Sequence, residues 1–178
     1  MKPKILSKKL KYKGIWSDIE EANVRLATGK IVKWESVLAL DAVAIVAINN
    51  EKNIYLSREW RSAWEREILE IPVGQVKGKT EKEMIKQARN ELREEVGLDA
   101  KKWEKLTTFL TGARQRIKIH VYLAQNLFKS KKKNSDSEII EVVKMPFQKA
   151  LKLFLSGKEE TTSYTLLGMI LAKEKLKL

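Results

Sequence analysis

The chain has 178 residues, 43% of them apolar, enough to bury a core and short enough that one domain with an extension is the natural expectation. Its 36 Lys and Arg exceed its 23 Asp and Glu, a formal charge of +13 that biases partners toward polyanions such as nucleotides, nucleic acid or anionic membranes. Without cysteine there are no disulfides, thiolate zinc sites or thiol nucleophiles, and no apolar run behind the basic start or near roughly 18 residues suggests a signal peptide or spanning helix, so a soluble, cytoplasmic protein is expected.

The first third reads as strands. LKYKGIW (10–16), NVRLA (23–27) and KIVKWESV (30–37) are short segments, the last two joined across Thr28-Gly29 as a tight hairpin. DAVAIVAI (41–48) is apolar almost throughout, as in a strand covered on both faces, and NNEKN turns it back into IYLSREW (54–60). EILEIPVG (67–74) is a further strand stopped by Pro72 and Gly74.

The period then changes. Thr80 and Glu83 form a capping box, Met84, Ile85, Ala88, Leu92 and Val96 recur at helical spacing, and Gly97 is a C-terminal stop, which predicts a helix over about 81–96. Strands follow at 105–110, 116–124 and 138–144, the last after the basic loop KSKKKNSDS (129–137), and two helices close the chain, the first with Pro146 in its opening turn. Strands, one helix, strands and two helices do not alternate as in a doubly wound fold. They predict a mixed sheet sandwiched between helices.

On the predicted helix, Glu91, Glu94 and Glu95 project toward one patch. A solvated acidic face is the plain reading. Yet the i±3 and i±4 neighbours of all three (Gln87, Ala88, Asn90, Leu92, Gly97, Leu98, Asp99 and the glutamates themselves) include no Lys or Arg in a chain rich in both. The compensating charge is therefore expected from outside the helix. Hard carboxylate oxygens without His or Cys suit Mg²⁺, with Mn²⁺ as the alternative, and a cation held by few carboxylates takes substrate phosphates among its remaining ligands. The chemistry implied is metal-assisted hydrolysis of a phosphoanhydride.

The stretch GQVKGKTEKEMIKQARNELREEVGL (74–98) resembles the Nudix box, G-x5-E-x7-R-E-U-x-E-E-x-G-U with U aliphatic, through Glu91, Leu92, Glu94, Glu95, Gly97 and Leu98. SREWRSAWEREILEIPVG (57–74) is similar to the segment running from Q-[YF]-R to E-[LF]-P-A-G in the ADP-ribose and ADP-sugar pyrophosphatase branch, with Arg61 at the arginine. The resemblance implies an α/β fold of α+β type, an α/β/α sandwich with a mixed sheet (39–178) preceded by an antiparallel β extension (1–38) that exchanges between the subunits of a homodimer. It implies Glu91, Glu95, Glu94 and the Val73 carbonyl as metal ligands, and Glu138 with Glu94 as the groups that activate water. Trp34 and Glu35 would read the base, Trp16 would be a second stacking ring and Arg61 would hold substrate. The expected reaction converts ADP-ribose or a related nucleoside diphosphate sugar to AMP and a sugar phosphate. An RNA-binding member with little hydrolysis stays open because of the net charge and the altered first half of the box, and so does a hydrolase of nucleotide-capped RNA ends.

The first half of the box departs from the pattern. Gly74 and Gly97 are two residues too far apart, so Lys82 and Asn90 stand where a structural Glu–Arg pair is wanted. The replacement expected is Glu81 or Glu83 with Arg89. His120, the lone histidine, reads as structural, and Asp136 and Glu138 could also simply balance the 129–133 lysines.

Overall fold

The computed structural model describes residues 2–130 and 141–178. They form strands β1 (Lys4–Lys13), β2 (Ser17–Arg25), β3 (Ile31–Ala39), β4 (Asp41–Ile48), β5 (Asn53–Arg61), β6 (Arg66–Glu70), β7 (Val73–Val76), β8 (Leu98–Gly112), β9 (Gln115–Lys129) and β10 (Glu141–Pro146), and helices α1 (Glu81–Glu91), α2 (Phe147–Leu155) and α3 (Ser163–Leu176). A π-helical turn, Leu92–Val96, continues α1.

The chain divides into two compact units. The first comprises residues through Asp41 and Phe109–Lys118. There β1, β2 and β3 form an antiparallel meander, with Ala22 opposite Trp34 and Glu21 opposite Glu35, and the start of β9 runs parallel to β3 at Gln115 and Arg116. The hairpin at Thr28-Gly29 forms as expected, Gly29 taking φ 87° and donating to the Leu26 carbonyl. The first strand differs from expectation. It runs over 4–13, and Ile15 and Trp16 lie in the following turn because Gly14 and the Asp18 carboxylate, joined at 3.2 Å, bend the chain there.

The second unit comprises Ala42–Thr108 and Ile119–Leu178. Its sheet is mixed, as expected: β4 pairs parallel with β9 from Ala42–Ile119 to Ala47–Ala124, and β5 pairs antiparallel with β4, β6 and β10. Residues 43–48 are buried at every position, so successive side chains of β4 enter opposite layers. Val43, Ile45 and Ala47 pack with Met84, Ala88 and Leu92 of α1 and its π turn. On the opposite face α3 lies so close that a Cβ on Gly168 would come within 3.0 Å of Val46 and 3.1 Å of Val121. Sheet between helices is thus the α/β/α sandwich that the element order predicts.

Local signals explain the ends of α1. Thr80 Oγ1 accepts from the Glu83 N–H while Glu83 accepts from the Thr80 N–H, the reciprocal box read in the sequence. These bonds, and one from the Lys79 N–H, hold the Glu83 carboxyl down at about 2. Gly97 ends the π turn at φ 75°.

Candidate functional site

Two arginines of α1 and its π turn face away from the glutamates. Arg93 donates to the buried Asp99 through Nε (3.1 Å), and Arg89 donates to the Ala100 carbonyl (3.2 Å) with Asp99 at 3.7 Å. The expected exchange of Arg89 with Glu81 or Glu83 does not take that form, because Glu83 caps the helix and Glu81 pairs with Lys105 (3.0 Å) and the Tyr122 hydroxyl (2.9 Å). The basic side chains nearest in sequence therefore anchor the helix to β8 and leave the glutamates to a different environment.

That environment is the backbone at Val73 and Gly74. Glu95 Oε1 accepts from the Val73 N–H at 3.2 Å, and the Glu91 carboxylate lies over Gly74, where an added Cβ would stand 2.0 Å from its carbon. Both carboxylates thus lie against one dipeptide, Val73–Gly74. Gln87 Nε2 donates to Glu91 Oε1 at 2.6 Å and steadies that head group. The π turn sends Leu92 and Glu95 inward while Glu94 stays partly exposed, a local widening of the kind often found at functional sites.

Glu95 is 5% exposed. Burial pushes its carboxyl up to about 8, Glu91 and Glu59 add to the rise, and the Ser57 hydroxyl and Val73 N–H oppose it. Ser57 lies beside Glu95, yet among the described residues neither Ser57 Oγ nor Glu95 Oε2 has a hydrogen-bond partner of proper geometry. A buried carboxylate oxygen left in that state is costly unless it is protonated or binds something.

Glu59 is a residue that sequence reasoning missed. It alternates along β5 with Ser57 and Arg61, so the three side chains share one face of the strand. Its carboxylate holds Arg61 Nη2 at 3.0 Å, and Arg61 Nε donates to the fully buried Glu70 at 2.7 Å. Burial pulls the Arg61 pKa down, but the Glu70 and Glu59 carboxylates outweigh it and hold the guanidinium charged. Alternation with Arg61 in SREWR was the available signal for Glu59.

In the first unit, Trp34, Glu35, Ser36, Ala113 and Arg114 line a cavity of about 420 Å³. Trp34 is 49% exposed, so its ring is accessible for stacking. Trp16, 75% exposed, is not part of this lining. Arg114 was not singled out from sequence, since it lies in a turn with no motif of its own. Glu138 and Asp136 lie outside the described residues. His120 Nδ1 is 2.9 Å from the Thr108 hydroxyl, a contact between adjacent strands.

Among the described residues, no three His, Cys, Asp or Glu side chains stand close enough together to hold a metal ion as they are. The donor set nevertheless fits a hard divalent cation: Glu91 lies over Gly74, Glu95 accepts from the adjoining Val73 N–H, and among the described residues Glu95 Oε2 is buried without a hydrogen-bond partner. Among the described residues no helix is long and apolar enough to cross a membrane.

The NUDIX domain profile matches residues 39–165. The chain is 34% identical over 172 residues to the ADP-ribose pyrophosphatase of Bacillus subtilis (strain 168), covering 93% of this chain and 91% of that protein. It is 31% identical over 153 residues to the methanol dehydrogenase activator of Bacillus methanolicus (83% and 80% covered), and 38% identical over 105 residues to the ADP-ribose pyrophosphatase of Mycobacterium tuberculosis (58% and 50% covered). A crystal structure described as an ADP compounds hydrolase superposes with a TM-score of 0.85 at 20% identity, covering 99% of this chain and 95% of that one, a likeness of fold.

Proposed function

The chain belongs to the NUDIX family as a pyrophosphatase of that type, and from that premise we propose that it hydrolyses the diphosphate linkage of ADP-ribose or a related nucleoside diphosphate sugar, giving AMP and a sugar phosphate. The observation that carries this reading is that Glu91 and Glu95 lie against Val73–Gly74 with a buried Glu95 oxygen that has no partner among the described residues. Glu91 and Glu95, with Glu94 assisting and the Val73 carbonyl as a further donor, would hold Mg²⁺, with Mn²⁺ as a substitute. Such an ion, when bound, draws charge from phosphate oxygens and lowers the pKa of water.

The chain's own groups supply the rest of the proposal. Glu138 and Glu94 would orient the attacking water and take its proton. Arg61, fixed by Glu70 and Glu59, would bind an anionic oxygen of the diphosphate. Trp34 would stack on the base, Glu35 would accept from its exocyclic amine, and Trp16 would offer a second ring. The exposed Ile5, Leu6, Leu10 and Tyr12 of β1 support the homodimer with exchanged N-terminal segments, testable by mass in solution.

A panel of ADP-ribose, ADP-glucose, NADH, FAD, dinucleoside polyphosphates and capped RNA, each with Mg²⁺ and with EDTA, tests the substrate class. Fastest metal-dependent turnover is expected for ADP-ribose or an ADP-sugar. RNA binding that persists in EDTA and weakens steeply with salt, without turnover of small nucleotides, would instead favour the RNA-binding reading suggested by the +13 charge.

Gly74→Ala gives a second test. Its Cβ would meet the Glu91 carboxylate, the far end of a flexible side chain that can shift, so the stability cost should sit at the low end of the roughly 1–3 kcal/mol typical of overpacking while the carboxylate moves. Thermal melting should change little, and kcat/KM with Mg²⁺ should fall roughly tenfold or more, about 1.4 kcal/mol of transition-state stabilisation. Unchanged turnover would mean that the position of Glu91 over Gly74 has no part in the reaction.

A further inference from the structure

The start of α3 is tied to the strand that precedes Val73 at points on either side of Glu70. Thr161 Oγ1 donates to the Leu69 carbonyl (2.7 Å), and the Ile71 N–H donates to Thr165 Oγ1 (3.1 Å), which is 2.9 Å from Thr162 Oγ1. Between these ties the Tyr164 hydroxyl donates to Glu70 Oε2, while Glu70 Oε1 accepts from Arg61. Burial pushes the Tyr164 hydroxyl well above its usual range, and the adjoining Glu70 charge and hydrogen bond add to this, so Tyr164 keeps the proton it donates.

Glu70 is wholly inaccessible to water, so its charge depends on having both oxygens covered. Arg61 covers one and Tyr164 the other. Among the described residues the contacts of Arg61 to Glu59 and Glu70 use Nε and Nη2, and the side chain is 30% exposed. The guanidinium is therefore held along one edge. Alternation along β5 puts it on the same face as Ser57, the neighbour of Glu95, four residues and about 13 Å along the strand, a span on the scale of a diphosphate with one sugar.

We propose that Tyr164 is a positioning residue for the substrate: its hydroxyl fixes Glu70, Glu70 fixes Arg61, and the guanidinium so held receives an anionic oxygen of the diphosphate. This rests on the hydrolase reading above and deepens it. Nothing in TTSYT (161–165) announces such a role in sequence, since Tyr164 and Glu70 are 94 residues apart. Without the hydroxyl, Glu70 Oε2 is left buried and unsatisfied, and the carboxylate relaxes by moving toward another donor, which changes how it holds Arg61.

The test is a double-mutant cycle on ADP-ribose turnover with Mg²⁺, using Tyr164→Phe, Arg61→Lys and the pair, with a melting temperature for each. Tyr164→Phe should raise KM roughly three- to tenfold with kcat within about twofold, the pattern of lost binding that is common to substrate and transition state. In the Arg61→Lys background it should add less than about twofold, because both changes interrupt one chain of contacts. The same cycle with Glu70→Gln in place of Tyr164→Phe must give the same direction, which keeps the test available should one variant not fold. A lowered melting temperature with unchanged KM, or effects that multiply in the pair, would make Tyr164 a structural residue only and overturn the proposal. Absence of turnover by the unaltered chain would instead defeat the hydrolase reading, and the proposal with it.

Discussion

Glu95→Gln should lower kcat/KM for ADP-ribose with Mg²⁺ by roughly a hundredfold or more, since a lost key ligand removes several kcal/mol of transition-state stabilisation and about 1.4 kcal/mol is tenfold. The amide is nearly isosteric and can still accept from the Val73 N–H, so the fold should survive. A loss smaller than about tenfold would refute the assignment of Glu95 as a metal ligand. The same substitution has a consequence that needs no substrate. Without metal the Glu95 carboxyl titrates near 8 in the folded chain, against an ordinary value of 4.5. The folded state then binds the extra proton between those values, so stability is fully present below about 4.5 and is lost as pH rises toward and through 8. The loss amounts to a few kcal/mol as an upper bound, from about 1.4 kcal/mol per pKa unit. Urea unfolding in EDTA between pH 5 and 9 should show this decline in the unaltered chain and a flatter profile in Glu95→Gln. Mg²⁺ should restore stability at the alkaline end by favouring the ionised carboxylate. Equal slopes with and without Glu95 would contradict the account of its burial.

Glu70→Ala should cost about 3 kcal/mol of folding stability in urea titrations. Removing one partner of a buried ion pair typically costs roughly 3–5 kcal/mol, and the lower end applies because Arg61 is partly exposed and can regain water. The buried Tyr164 hydroxyl loses its acceptor as well, and the methyl side chain leaves a void beneath α3. A loss under about 1 kcal/mol would mean that the network contributes little, and that the ties from Thr161 and Thr165 suffice to hold α3 against β6.

The parts of this architecture that depend on neighbours in sequence were legible before any coordinates. The capping box at Thr80 and Glu83, the apolar strand at 41–48 and the glycine stop at 97 are short-range devices, and each forms as read. The pairing of Arg89 was misread because the arginine's partner is decided by where β8 begins. Asp99, 1% exposed, attracts both Arg89 and Arg93, and no helical spacing reveals that. The π turn also leaves no mark in the hydrophobic pattern, although it helps turn Glu95 inward. The absence of basic side chains around the three glutamates was a sound clue to a special environment, and the packing adds its cause: the nearby arginines are anchored to β8, and two of the carboxylates rest on Val73 and Gly74. An ion pair of Arg61 with Glu65, Glu67 or Glu70 was legible from their nearness in sequence, and Glu70 is the one formed, but the Tyr164–Glu70 contact was beyond sequence reading because the two meet across 94 residues, through the packing of a helix on a strand.

The central claim is that the carboxylates gathered at Val73–Gly74 support cation-dependent cleavage between two phosphates. Phosphorus NMR of ADP-ribose incubated with the unaltered chain observes this bond directly. With Mg²⁺ the two diphosphate resonances should disappear and two phosphomonoester resonances, AMP and a sugar phosphate, should appear in equal amounts, while in EDTA the spectrum should stay unchanged. Diphosphate signals that persist with Mg²⁺, or cleavage that proceeds equally well in EDTA, would contradict it.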